Sequence, residues 1–165
     1  MKKYHKAFKI TYPEIVSELI TSIKIDFASI TKKNNKVNFI SGKALWDTGA
    51  TVSVITPEFA KKLKLIPIGK TTVLGINSKE EVNKYLIDII LPNEVLFSNL
   101  EITESDFCGA DILIGMDIIQ NGDFSISNTE NKTVFSFCIP PFKERICLYE
   151  KAVKTNLLLD KELIQ

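Results

Sequence analysis

The chain has 165 residues, 45% hydrophobic and 25% charged, which suits one globular domain with a real core and leaves little room for a second. Its 21 Lys and Arg nearly cancel its 20 Asp and Glu, so no excess positive field holds a phosphate backbone and no nucleic-acid partner is expected. No apolar run approaches the roughly 20 residues that span a membrane, and the basic start runs into Phe8-Lys9-Ile10-Thr11 rather than a signal-peptide core, so no membrane association is expected.

In chain order, short runs of β-branched and aromatic residues alternate with polar ones, and turn residues separate them. Strands are predicted over residues 8–12, 20–29, 37–46, 71–74, 81–91, 100–102 and 112–114, with a final hairpin of 123–127 and 133–138 around the turn-rich Asn128-Thr129-Glu130-Asn131. Two short helices are predicted. Residues 57–63 carry Thr56 as N-cap and Pro57 at the first helical position, and residues 116–120 follow an apolar strand. Pro140-Pro141 stops the hairpin, and the tail from Lys143 fits an amphipathic helix with Leu148, Val153 and Leu157 roughly on one face. The fold class expected is mainly β. The division is N-terminal strands over 1–36, one domain over 37–141 and a tail over 142–165.

The stretch that carries chemistry is Ala44-Leu45-Trp46-Asp47-Thr48-Gly49-Ala50, where an apolar strand delivers an aspartate into a glycine-containing turn. As a bare triplet Asp-Thr-Gly would occur by chance in about 2 of 100 chains of this length, and Asp and Gly are ordinary turn residues, so its context decides. A lone carboxylate among apolar residues only ionises or is neutralised. Two carboxylates about 3 Å apart cannot both ionise; they share a proton and act as base and acid together.

Other chemistries find little support. His5 is the only histidine and lies near a terminus, which argues against Ser-His or Cys-His catalysis and against a histidine-based metal site; no metal and no cofactor is expected. Cys108, Cys138 and Cys147 are an odd number without ligand spacing and read as reduced thiols, which suggests a cytoplasmic location. Asp117, at the start of a short helix, is expected to complement the helix dipole and cap free N–H groups. Asp111 is expected to be solvated or to sit where a strand begins.

Asp47-Thr48-Gly49-Ala50 together with Ile112-Leu113-Ile114-Gly115 and the following Met116-Asp117-Ile118-Ile119 resembles the retropepsin-like aspartic proteases, the single-domain branch found in retroviruses and in cells, bacteria included. Val73-Leu74-Gly75-Ile76-Asn77-Ser78 falls where that family places its flap hairpin. The resemblance covers roughly residues 37–140 and implies a closed β-barrel of the acid-protease kind with one or two short helices. It also implies an endopeptidase that cleaves extended polypeptides through a water activated by an Asp dyad, with Asp47, Thr48 and Gly49 as catalytic positions. Thr48 would lock two Asp loops together through its hydroxyl, and Gly49 would bring its N–H to the carboxylate. Ala50, Gly75, Ile76 and Asn77 would contact substrate, the latter three from the flap, and Ile114 and Gly115 would support the Asp loop. Ala50, where pepsin-like enzymes carry Ser, removes a hydrogen bond from the dyad and implies a pH optimum above theirs.

Only one Asp-Thr-Gly is present, so the second carboxylate is expected from a second copy of the chain about a two-fold axis, making a homodimer. Two other readings compete: a retropepsin-fold dimer that holds a peptide without cutting it, and a small structural β-barrel with a chance turn. The intact Asp-Thr-Gly favours the enzyme, because a binding module gains nothing from two like charges forced together.

Overall fold

The computed structural model describes residues 4–28, 30, 39–74 and 79–162. The strands are β1 (Lys6–Thr11), β2 (Ile20–Phe27), β3 (Ile40–Trp46), β4 (Val54–Ile55), β5 (Gly69–Leu74), β6 (Lys79–Ile90), β7 (Leu96–Glu104), β8 (Ile112–Ile114), β9 (Asp123–Thr129) and β10 (Lys132–Ile139). The helices are α1 (Pro57–Lys62), α2 (Met116–Ile119) and α3 (Leu148–Glu162).

Seven strands form one sheet in the order β2-β3-β8-β4-β7-β6-β5. Because β2 also pairs with β6, six of them close into a barrel and β5 stays outside, paired with β6 among the described residues. The fold is therefore mainly β with a closed barrel, as expected. Closure removes the exposed edges that a short open sheet would leave. Its interior is filled by Ile23, Ile25, Ile55, Ile87, Ile89, Ile102, Ile112 and Ile114, all at most 2% exposed. β-branched side chains at alternate positions suit a pleated, buried face.

The second sheet is β1-β10-β9, antiparallel throughout. Its inner face carries Phe8, Phe124, Phe135 and Phe137, which close around Trp46 at ring centroid distances of 5.0 to 6.2 Å. Tilted and edge-on pairs of this kind add to the area they bury. The Trp46 indole N–H donates to Thr21 Oγ1 at 2.9 Å, so the one polar atom of this ring is satisfied inside the core.

Most predicted strands are present, with shifted ends. β7 runs over nine residues where three were predicted, because Asn99 takes a left-handed backbone (φ 54°) and a bulge interrupts the β6–β7 register between Ile87 and Ile89. Those irregularities break the alternation that marks a strand. Asp88 sits at the bulge, 2% exposed, and accepts the Asn99 N–H at 2.8 Å. β4, only two residues long, was not predicted at all. The last hairpin turns at Glu130-Asn131, both at positive φ, with Thr129 opposite Lys132. That geometry matches the twist of its strands.

α1 begins as expected. Thr56 Oγ1 accepts the Phe59 N–H at 3.3 Å and Pro57 occupies the first turn, while Phe59 and Leu63 are buried. The tail forms a helix from Leu148, but its apolar residues do not reach the barrel: Leu148, Val153 and Leu157 are 71%, 41% and 57% exposed.

Candidate active site

The position of Asp47 follows from one strand pairing. β3 and β8 run parallel, with Ala44 beside Ile112 and Trp46 beside Ile114, so the chain segments after them leave the barrel side by side at the same end. Asp47 and Gly115 are those next residues. The Asp47 N–H donates to Ile114 O at 3.0 Å, which extends the ladder by one rung and fixes the aspartate backbone.

The loop itself is a β-turn, closed by the Ala50 N–H on Asp47 O at 3.3 Å. The turn expected from Asp and Gly and the presented carboxylate are thus one structure. The Gly49 N–H donates to Asp47 Oδ1 at 2.8 Å, which orients the carboxylate. A Cβ on Gly49 would lie 3.1 Å from that same oxygen. Asp47 and Ala50 are half-buried, and Thr48 and Gly49 form the exposed apex.

A second segment clamps the loop from below. Ala50 O accepts the Met116 N–H at 2.8 Å, and Thr51 O accepts the Asp117 N–H at 3.2 Å. Ile114 is fully buried. Gly115 has an extended backbone (φ −95°, ψ −171°) that any residue adopts, so glycine is needed here for space. A Cβ would meet Val52 C at 2.6 Å, Val52 O at 2.7 Å and Ala50 O at 2.9 Å. Ile114 and Gly115 therefore pack under the Asp loop.

Asp117 belongs to the same clamp. Its carboxylate accepts the Ser53 hydroxyl at 2.7 Å, the Ser53 N–H at 2.9 Å and the Ile118 N–H at 3.0 Å. Ser53 Oγ in turn accepts the Gly115 N–H at 3.1 Å. Asp117 stands in the first turn of α2 as expected, but the helix N–H that it accepts, that of Ile118, also donates to Gly115 O at 3.2 Å, and most of its bonds go to the Asp loop. Ser53 was missed in the sequence. The available signal was a serine inside the apolar run Val52-Ser53-Val54-Ile55, since a buried hydroxyl requires partners.

Asp111 sits where β8 begins: its Oδ2 accepts the Lys43 N–H at 2.7 Å and its backbone O accepts the Thr56 N–H at 3.1 Å. His5 is held at the far end of β1, its Nδ1 2.9 Å from Pro140 O and its ring stacked on Phe142 at 4.3 Å. A concavity of about 540 Å³ lies beside α1, lined by Lys43, Lys62, Phe107 and Cys108 among others, and does not include the Asp47 loop. Gly75, Ile76 and Asn77 lie outside the described residues. Among the described residues, no group of three or more His, Cys, Asp and Glu could hold a metal ion, and no helix is long and apolar enough to cross a membrane.

Comparison with known proteins bears directly on this arrangement. The family described as gag-polyprotein putative aspartyl protease matches residues 34–121. A retropepsin-like aspartic protease from Rickettsia conorii shares the fold, with a TM-score of 0.52 at 18% identity, over 84% of this chain and 98% of that one. The EIAV protease in complex with the inhibitor HBY-793 matches with a TM-score of 0.48 at 22% identity, over 67% of this chain and 92% of that one. The retroviral protease-like domain of Ddi1 from Leishmania major gives 0.43 at 16%, over 73% and 95%. No curated protein is significantly similar to the chain. With more than half of its length matched by that family, and a closed barrel of the same kind around Asp47, the chain belongs to the retropepsin-like aspartic proteases.

Proposed function

We propose that the chain is an aspartic endopeptidase whose active site is completed by a second copy, each copy supplying one Asp47. The observation that carries this reading is the fixed, half-exposed Asp47 carboxylate, tied to the Gly49 N–H at the end of the strand pair that Gly115 supports. One carboxylate alone is a weak catalyst at neutral pH; two facing each other share a proton. The ionised one takes a proton from water as its oxygen bonds to the peptide carbonyl carbon. The protonated one gives its proton to the carbonyl oxygen. Collapse of the resulting diol returns a proton to the leaving nitrogen, breaks the C–N bond and restores the dyad.

The remaining residues act by position. Thr48, exposed at the apex, meets its counterpart's loop across the two-fold axis. Ala50 lines the cleft beside the substrate backbone. Gly75, Ile76 and Asn77 are assigned to substrate contact from the family resemblance alone. The unpaired Cys108, Cys138 and Cys147 support a reducing, cytoplasmic setting.

The test is a comparison of wild type with Asp47→Asn, incubated with a peptide library and with the chain itself across a dilution series. Cleavage by wild type alone, with specific activity falling on dilution, is expected. Cleavage by Asp47→Asn would sink the dyad, and a flat dilution profile in a demonstrated monomer would sink the shared site. Peptide binding without cleavage at any pH would favour a non-catalytic dimer.

A further inference from the structure

The strand pairing beneath the Asp loop ends on a side chain. β4 lies antiparallel to β8 as far as Val54 opposite Leu113. One residue before β4, Ser53 is fully buried, and its Oγ, not a main-chain oxygen, accepts the Gly115 N–H at 3.1 Å. A buried N–H without an acceptor is costly, so this hydroxyl stands in for a rung of the ladder.

The Gly115 N–H and the Ile114 carbonyl belong to one peptide unit, which is planar and turns as a whole. The other side of that unit carries the rung to the active loop, Ile114 O accepting the Asp47 N–H at 3.0 Å. Ser53 thus holds one end of a rigid plate whose other end holds Asp47. Chemistry fixes the direction of each bond. A peptide N–H only donates, so Ser53 Oγ accepts from Gly115, and its own proton goes to Asp117 Oδ1 at 2.7 Å, because a carboxylate only accepts. The Ser53 N–H donates to the second oxygen, Oδ2, at 2.9 Å, which keeps the carboxylate from rotating. The result is a chain whose donors all point the same way: Asp47 N–H to Ile114 O, Gly115 N–H to Ser53 Oγ, Ser53 O–H to Asp117. Bonds in such a chain polarise one another, so the carboxylate at its end strengthens each acceptor before it.

We infer that Ser53 is a positioning residue for the cleavage proposed above, setting the direction of Asp47 through the Ile114–Gly115 peptide, with Asp117 fixing its hydroxyl. Its catalytic meaning rests on that proposed function; its hold on the loop rests on the geometry alone. In a site made of two identical halves a rotation of this peptide enters twice, once in each chain. Two carboxylates that share a proton must stand about 3 Å apart, so the site is sensitive to a displacement that one chain alone would tolerate.

The test uses the full chain with Ser53→Ala, Ser53→Thr and Ser53→Val. The last two have nearly the same shape, and only the threonine keeps the hydroxyl. Native-state hydrogen exchange compares the Asp47 amide with that of its neighbour Trp46, which donates to Leu19 O at 3.0 Å and lies outside the chain of bonds. A general loss of stability lowers both protections alike. The Asp47-to-Trp46 ratio falls about tenfold in Ser53→Ala and Ser53→Val and stays near wild type in Ser53→Thr, and kcat at saturating chain and substrate follows the same order with KM unchanged. Asp117→Ala, which leaves Ser53 in place without its acceptor, lowers the ratio too and keeps the test open where Ser53→Thr fails to fold. Thr56→Ala removes the α1 cap and lowers stability without touching kcat. Equal losses at both amides, an unchanged ratio in Asp117→Ala, Ser53→Val matching Ser53→Thr, or a kcat that Ser53→Ala leaves unmoved or Thr56→Ala lowers as far, each overturns the assignment. The two proposals fail separately: a wild type that cleaves no peptide refutes the protease, and the exchange ratio alone then decides whether Ser53 holds the Asp loop.

Discussion

Gly115→Ala isolates the contact on which the Asp loop rests. The backbone there is in a region open to every residue, so the change adds one methyl group and no conformational strain. That methyl would stand 2.6 Å from Val52 C, 2.7 Å from Val52 O and 2.9 Å from Ala50 O. All three are main-chain atoms, which no rotamer change can clear. Reaching an ordinary contact of 3.4 Å from 2.6 Å needs a displacement of roughly 0.8 Å, and the atoms displaced belong to the loop that holds Asp47. Overpacking a tight site costs about 1–3 kcal/mol, and rigid main chain places this case at the upper end, about 3 kcal/mol. A misplacement of about 1 Å in a catalytic group costs on the order of 100-fold in rate. Urea unfolding at one fixed chain concentration, followed by Trp46 fluorescence, measures the first quantity, and peptide cleavage measures the second. Gly69→Ala is the control: nothing lies within 4 Å of its added methyl, and it should stabilise by a few tenths of a kcal/mol, if anything. Gly115→Ala within about 0.5 kcal/mol of wild type would refute the reasoning, since surface substitutions fall in that range.

Three further outcomes are expected. Asp117→Ala leaves the Ser53 N–H and the Ser53 hydroxyl without their acceptor, whereas the Ile118 N–H keeps Gly115 O at 3.2 Å, and should cost about 2 kcal/mol, while Asp117→Asn, which keeps one acceptor oxygen, should cost about half as much; urea midpoints read both. Tyr85 is buried and donates to Glu104, and burial first, then that hydrogen bond and the Glu104 charge, push its hydroxyl up to about 12 from 10.0. The unfolded chain ionises first, so this contribution is complete below pH 10.0 and is lost as pH rises towards about 12. Melting temperature should therefore fall more steeply across that window in wild type than in Tyr85→Phe. Ala50→Ser adds a hydroxyl beside the carboxylates and should move the pH optimum of cleavage downward; an unchanged pH-rate profile would count against Ala50 as a neighbour of the dyad.

What could be read in the sequence was what is local or repeats regularly. The alternation in β2 and β6, the Thr56-Pro57 start of α1 and the Asp-Thr-Gly turn each announce themselves within a few residues. β4 could not be read, because two residues carry no period and its existence depends on β7 and β8 lying on either side. The extent of β7 was hidden by the bulge at Asp88 and the left-handed Asn99. Within the site, Asp47 and Gly115 were legible by type, but their juxtaposition is a property of the parallel β3–β8 pairing across 67 intervening residues, which no local pattern encodes. Ser53 became a site residue only through Asp117, 64 positions away.

That long-range origin bears on how the site can work. Everything that orients Asp47 within one chain is backbone or core: the rung to Ile114 O, the Gly49 N–H, the Gly115 contact and the packing of Trp46 in the aromatic cluster. Of these, only the Gly49 N–H lies on the exposed apex, and no side chain of the apex takes part. A single chain thus holds its carboxylate in a fixed direction before any partner arrives, and association on the proposed two-fold axis needs to bring together two half-sites that are already rigid. Rigid halves cost little ordering entropy on meeting. Activity should then rise with the square of chain concentration well below the dissociation constant and in proportion to it well above, with no slow folding phase after mixing; stopped-flow cleavage after a concentration jump checks both. A lag that persists at saturating concentration would mean that the Asp loop is completed by the partner, and the clamp at Gly115 would then be insufficient.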